Sequence, residues 1–255
     1  MLPKDRRSKI LKLLEEQTVS GIRELFGVFN VSIPTLYKDL EILEREKKIS
    51  RSYGAIQLIR EDKFRHSFFS RLKMEKDKKR HIARSAVSFI QSGDTIFLDS
   101  STTTFYLCDE LKKSSIQSLT IITNSLFIPQ EFIMHANYRI IQTGGMLDRD
   151  IGCFHSQDIE SYLSRIHGNK FFFSAQAVST EKGILDSYQP EEIKIKQLFL
   201  ANADESIALL DSTKFNKTGT INWLAIEDLK MIITDKELDS AVQKYMREKG
   251  VRLFT

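Results

Sequence analysis

The sequence predicts two modules of different class, a short, mainly α front joined to a larger α/β domain with a mainly parallel sheet. Three observations carry this reading. Apolar residues recur at helical spacing through the first 45 residues, and from Thr95 onward short apolar runs alternate with helical stretches. Charge is also unevenly divided: residues 1–80 hold 20 Lys and Arg against 12 Asp and Glu, and the remainder holds 18 against 22. A basic front is what a module meeting a polyanion would carry, although a merely solvated surface gives the same count.

Bulk properties narrow the class. A chain of 255 residues, 41 % hydrophobic and 28 % charged, has room for two domains and a sizeable core, and is too apolar for disorder. The opening MLPKDRRSKI has no apolar h-region, and no later run approaches the roughly 20 residues needed to cross a bilayer. A soluble, cytoplasmic protein with no membrane partner is expected. Cys108 and Cys153 make no CxxC or Cys/His ligand spacing and read as small core hydrophobes. His66, His81, His135, His155 and His167 likewise show no metal spacing.

In the front module, Ile10, Leu13 and Leu14 mark a first helix over 6–16, behind a basic start that includes Arg6. Ile22, Leu25, Phe26 and Phe29 mark a second. The chain then turns through Phe29, Asn30 and Val31, where Asn30 suits the left-handed conformation that stops a helix. Ser32 can cap a third helix, Pro34 is harmless in its first turn, and Leu36, Leu40 and Leu43 supply its inner stripe. ISRSYGAIQLI alternates apolar and polar residues around Gly54 and reads as a two-stranded wing.

Helix, tight turn, helix is the arrangement in which the front of the last helix enters a DNA major groove. Amphipathic three-helix units also dock proteins, and the basic excess favours DNA. Candidate contacts are Arg6, Ser32, Thr35, Tyr37 and Lys38, with Arg51 and Tyr53 on the wing. Lys38 suits phosphate or guanine, and Thr35 a base or a thymine methyl.

The winged module is assigned residues 1–60, a linker 61–74, and the second domain 75–255. The cluster Lys76, Lys78, Lys79 and Arg80 reads as a solvated helix start, or else as a phosphate track. Beyond it TIFLD, LTIITN, RIIQTGG, KFFFSAQAV, SIALLD, KMIITD and VRLF read as strands, and ligands of such sheets sit at strand carboxyl ends. TIFLD leads into Ser100, Ser101, Thr102, Thr103 and Thr104 at the start of a helix, where hydroxyls and free amides suit an anion. Thr123, Asn124 and Ser125 form a possible facing wall. Gly144 and Gly145 permit a backbone turn near a ligand, or simply a turn, and Lys214 follows another strand end as a cation. No GxxxxGK, GxGxxG or GxSxG occurs. Nothing demands catalysis, a cofactor or a metal.

The stretch from Arg6 to Ala55 resembles the N-terminal winged helix-turn-helix of the DeoR family of bacterial transcriptional regulators. Ser32, Thr35, Leu36, Asp39 and Leu40 match its recognition helix. Tyr37 and Lys38 replace the usual paired arginines, and Tyr53, Gly54 and Ala55 the wing's His-Gly-Gly, so the resemblance implies an altered operator. From Lys79 to Thr234 the chain resembles the family's C-terminal domain, through KRHIA, LDSSTTT, TNS, GG, NK, Glu192 with Lys196, DSTKF and ITD. That domain is similar in fold to ribose-5-phosphate isomerase and coenzyme A transferases and senses phosphorylated metabolites. The resemblance implies effector positions at Asp99, Ser100, Ser101, Thr102, Thr103, Thr104, Thr123, Asn124, Gly144, Gly145, Lys170, Glu192 and Lys214. Departures from the family pattern are Ser101, Ser174 and Ala177 in place of glycines and Asn169 in place of an acid.

The implied protein is a repressor of a carbohydrate-related operon, controlled by a sugar phosphate. It would act as a homodimer or homotetramer on double-stranded half-sites about 34 Å apart. The rivals are an isomerase-like enzyme with a DNA-binding head, and a DNA-binding protein whose effector pocket has degenerated.

Overall fold

The computed structural model describes residues 2–16, 20–21, 25, 27–29, 31–46, 48–52, 55–58, 67–156, 158–186, 190–215 and 217–255. They divide into two compact units, residues 1–66 and 67–255.

The first unit holds α1 (Pro3–Glu16), β1 (Ser20–Gly21), α2 (Ile33–Arg45), β2 (Ile49–Ser52) and β3 (Ala55–Leu58). Leu25, Gly27 and Val28 are helical between β1 and α2; the other expected second-helix positions Ile22 and Phe26, with Asn30, lie outside the described residues. The apolar stripes meet in one core of Ile10, Leu14, Leu25, Phe29, Leu36, Leu40, Leu43, Ile49 and Ile56. The wing has three strands rather than two, because β1 pairs antiparallel with β3 on the side away from β2. Ser32 occupies the N-cap position of α2, but its hydroxyl does not cap. It lies 2.8 Å from the Thr35 hydroxyl instead, while its backbone carbonyl accepts from the Thr35 and Leu36 amides.

Arg6 corrects the sequence reading. Its guanidinium is buried and ion-paired with the buried carboxylate of Asp39 on α2, with Arg7 3.5 Å from the other oxygen. A guanidinium held inside is not offered to phosphate; it fixes α1 against the helix that carries the candidate contacts.

The second unit opens with α3 (Phe68–Lys73) and α4 (Lys76–Val87). The Phe68 ring stacks on Phe127 and meets Phe105 edge-on, its amide donates to the Asp150 carbonyl, and the Tyr106 hydroxyl donates to the Leu72 carbonyl at 2.9 Å. The segment expected as linker therefore contains a packed helix, and the second unit starts before residue 75.

Seven strands build the main sheet: β4 (Thr95–Leu98), β5 (Leu119–Thr123), β6 (Tyr138–Gln142), β9 (Gly168–Phe173), β12 (Ala203–Leu209), β14 (Met231–Ile233) and β15 (Arg252–Phe254). Their order is β15-β14-β12-β9-β4-β5-β6 and every pairing is parallel. Alternation along the inner strands buries both faces, while the edge strands β6 and β15 are partly exposed. Ile96, Leu98, Ile121, Phe172, Ile207, Leu209, Met231 and Ile233 pack on α4, α5 (Thr102–Lys113) and α6 (Ile128–Glu131). Phe97, Ile122, Phe171, Phe173, Ala208 and Ile232 pack on α7 (Ile159–Leu163), α8 (Pro190–Ala201) and α9 (Ser240–Glu248).

Two small antiparallel sheets escaped the sequence reading. One is the hairpin β7 (Met146–Asp148) with β8 (Cys153–His155); the other is β10 (Ala177–Ser179), β11 (Gly183–Asp186) and β13 (Ile221–Leu224). KFFFSAQAV is accordingly not one strand, since it leaves the main sheet after Phe173 and resumes at Ala177 in another. Among the described residues no helix is long and apolar enough to cross a membrane.

Asp39→Ala would leave the Arg6 charge buried without its partner. Urea denaturation is expected to show the first unit destabilised by about 3–5 kcal/mol, where loss of a surface pair would cost under about 1 kcal/mol.

Candidate functional sites

On the first unit, α2 presents Ser32, Ile33, Pro34, Tyr37 and Lys38 to solvent, while Leu36, Asp39 and Leu40 are buried behind them. Thr35 is half-buried. Arg51 on β2 is bound to Glu44 of α2, which fixes the wing to the helix and draws on the charge expected to meet DNA. Tyr53 lies outside the described residues.

On the second unit, the chain builds from β4 outward in two directions, to β5 and β6 on one side and to β9, β12, β14 and β15 on the other. The strand order reverses between β4 and β9, and the carboxyl ends of the strands at such a reversal are the usual ligand position in parallel sheets. Asp99 closes β4 there, almost fully buried. One carboxylate oxygen accepts from the Ser101 amide (3.0 Å) and the Thr104 hydroxyl (3.0 Å); the other accepts from the Ser174 amide beyond β9 (2.9 Å). Lys196 of α8 lies 3.6 Å away. Its ammonium donates to Asp186 (2.9 Å) and to the Ser174 carbonyl (3.0 Å). Asp186 also accepts from the Gln176 amide and the Trp223 indole. Burial disfavours the Lys196 charge, but Asp186, Glu192 and Asp99 outweigh it and hold its pKa above the usual lysine value.

The hydroxyl run is packed rather than open. Ser100 donates to Glu192 (2.9 Å), Ser101 caps α5 by accepting from the Thr104 amide (3.2 Å), and Thr102, Thr103 and Thr104 are buried. Ser101 sits at φ −75°, ordinary extended backbone, so serine serves without strain where the family pattern has glycine. The amides of Thr102 and Thr103, in the first helical turn, have no intrahelical acceptor.

Strand register sets the neighbouring wall, because Leu98 pairs with Thr123 and Thr123 with Gln142. Asn124 and Thr143 thus follow in line with Asp99, strand by strand. Thr123 accepts from the Ser125 amide, and Asn124 is buried. Gly144 and Gly145 take φ of +73° and +111°; a Cβ on Gly145 would stand 2.4 Å from the His155 carbonyl oxygen, so that glycine serves the packing of β8.

Lys170 does not join the site. Register pairs it with Ile96, three residues short of Asp99 and so about 10 Å down the sheet, where it bonds Asp94 at 2.7 Å. Lys214 does approach. It lies in the turn after β12, near enough to Asp211 and Asp186 for their charges to interact; its amide donates to the Asp211 carbonyl, and its ammonium makes no hydrogen bond or ion pair among the described residues. Lys79 is the residue the sequence reading missed. Its neighbours Lys76, Lys78 and Arg80 make it read as part of a solvated helix start, yet it is buried, its ammonium donating to the Arg71 carbonyl. Spacing held the signal, since Lys79, Ile82, Ala83 and Ala86 share one helix face. Burial, and then the nearby Lys214 charge, push Lys79 down to about 8. Burial likewise lowers Lys214 and raises the Glu192 carboxyl.

Unused bonding capacity collects on the same edge. Buried atoms without a partner among the described residues include Asn124 Oδ1, Gln142 Nε2, Thr143 Oγ1, Gln176 Oε1, Glu192 Oε2, Asp211 Oδ2 and Thr234 Oγ1. All but Glu192, which faces Ser100, end or follow a strand of the main sheet at its carboxyl edge; His81 Nε2 on α4 is the exception elsewhere. Such groups want a ligand or water.

Two family models cover the chain, a DeoR-like helix-turn-helix domain over residues 6–62 and the DeoR C terminal sensor domain over 74–236. The chain belongs to the DeoR family of helix-turn-helix transcriptional regulators. It is similar to the HTH-type transcriptional regulator YulB of Bacillus subtilis, 31 % identical with 99 % of this chain and 96 % of that one covered. It is also similar to the L-fucose operon activator of Escherichia coli, 30 % identical with 91 % and 94 % covered. Ribose 5 phosphate isomerase A from Neisseria gonorrhoeae overlaps 56 % of this DeoR-family chain and 54 % of its own, at 12 % identity and a TM-score of 0.40, too slight a likeness to carry an argument.

The Lys79 shift has a sign. Between about pH 8 and the ordinary lysine value of 10.5 the folded chain has released a proton that the unfolded chain still holds, so stability rises with pH. Chemical denaturation at stepped pH should show wild type gaining on Lys79→Met by roughly 1 kcal/mol per pH unit in that window, and no such gain below it.

Proposed function

We propose that this protein is a cytoplasmic repressor of a carbohydrate-related operon whose second unit senses a phosphorylated sugar rather than transforming one. The observation that carries the reading is the pairing of buried Lys79 with half-buried Lys214, whose charge adds to burial in lowering Lys79, beside a row of buried polar atoms without partners along one sheet edge. An anionic group between the lysines would relieve their repulsion, and ligand hydroxyls would satisfy Asn124, Gln176, Glu192 and Asp211. The amides of Thr102 and Thr103 and the α5 dipole add to the anion's end. Two relatives named as regulators, one of them of the L-fucose operon, support a sensor over a catalyst.

Coupling would run through α3, the first element after the DNA-binding unit. Lys79 and Tyr106 hold its last carbonyls. An anion that draws the Lys79 ammonium away frees one of the two and changes how α3 is held. Two α2 helices reading paired half-sites require at least a dimer. A coupling of about 1–3 kcal/mol would change operator affinity roughly 5- to 150-fold.

Thermal-shift measurements against a sugar-phosphate panel should find a stabilising ligand. Its effect is expected to vanish in Lys214→Ala and to weaken as pH rises past about 8, where Lys79 loses its charge; a panel with no stabilising member refutes the sensing half. For the DNA half, Lys38→Ala should weaken duplex binding and reduce the slope of log affinity against log salt by about 1. An unchanged slope removes Lys38 from the contact set.

A further inference from the structure

The front of α2 offers few free hydrogen-bonding groups. The Ser32 and Thr35 hydroxyls are 2.8 Å apart and engage each other, Thr35 is half-buried, and Asp39 is buried against Arg6. What stands clear is apolar. Ile33, the first residue of α2, is 51 % exposed and Tyr37 is 44 % exposed. Four residues apart on a helix, they lie side by side, with Cβ atoms about 5–6 Å apart. Neither belongs to the core of the first unit. Lys38 is exposed next to them, at the front of a chain with a basic surplus over residues 1–80.

An aliphatic side chain on the first turn of a groove-reading helix has one apolar counterpart among base edges. The major groove presents donors and acceptors at every base pair, but an apolar group only at the C5 methyl of thymine. Lys38 beside the patch, with the excess of 14 Lys and Arg over 10 Asp and Glu in residues 1–66, favours a polyanion as the surface that covers it. We propose that Ile33, flanked by Tyr37, reads thymine methyl groups in the major groove, so that each operator half-site carries a thymine facing the first turn of α2. Sequence spacing points to Thr35 for that contact, but Thr35 is half-buried with its hydroxyl against Ser32, whereas Ile33 stands clear. This rests on the DNA-binding reading and adds the base that is read.

The test starts from the full-length protein and a pool of random 30-base-pair duplexes at low salt. The enriched duplex is remade with single thymines replaced by deoxyuridine, which keeps every hydrogen-bonding group and lacks only the methyl. Fluorescence anisotropy then gives the affinity of each. Wild type should lose about fourfold at one position per half-site, the value of burying one methyl. Ile33→Ala should bind more weakly overall and be indifferent to deoxyuridine there, while Tyr37→Phe and Lys38→Ala keep the sensitivity. Ile33 is exposed, and a thermal melt establishes that its variant is folded. Equal affinity of wild type for thymine and deoxyuridine at every position overturns the proposal, as does full sensitivity retained by Ile33→Ala. Failure to enrich any duplex would refute the DNA-binding reading itself, and this inference with it.

Discussion

The second unit is organised around one buried carboxylate. Asp99 follows β4, accepts from the Ser101 amide and the Thr104 hydroxyl at the start of α5 and from the amide of Ser174 beyond β9, and faces the Lys196 ammonium. A carboxylate out of water must be met by donors or a counter-charge, and here the donors come from three separate elements. Satisfying Asp99 therefore fixes the two strand ends that flank the reversal of strand order, and it fixes the start of the helix between them. Lys196 extends the lock to Asp186 and, through it, to Trp223 on the small antiparallel sheet. Breaking one member would strand the others, which is why such a network holds its geometry more firmly than its net energy suggests.

A rigid frame leaves the rest of the edge free to be unsatisfied. Each buried polar atom without a partner costs about 1–3 kcal/mol, and Lys79 adds the cost of a buried ammonium group. Groups of this kind on a surface would relax into water. Held by the Asp99 lock and by packing on both sheet faces, they stay buried along the carboxyl edge.

Legibility followed the kind of signal each residue left. All seven strands of the main sheet are readable as short apolar runs, the inner ones because they are buried on both faces. The small sheets were not, since three- and four-residue strands such as Met146–Asp148 leave too short an alternation. Asp99, the hydroxyl loop and Glu192 stood out by strand-end position and family pattern. Lys170 was misplaced because a motif gives sequence order, whereas the parallel register decides which end of the sheet a residue occupies. Lys79 and Arg6 misled for a common reason: a charged side chain reads as solvated unless its place on the inner helix face is weighed against its charge. Asp186 carried no local cue, since its partners Gln176, Lys196 and Trp223 are brought to it only by the fold.

The most direct test of the account is to measure the affinity of the full-length protein for an enriched duplex with and without a saturating sugar phosphate shown to bind. The account predicts a shift of roughly 5- to 150-fold. Saturation of the site with no change in duplex affinity would contradict it.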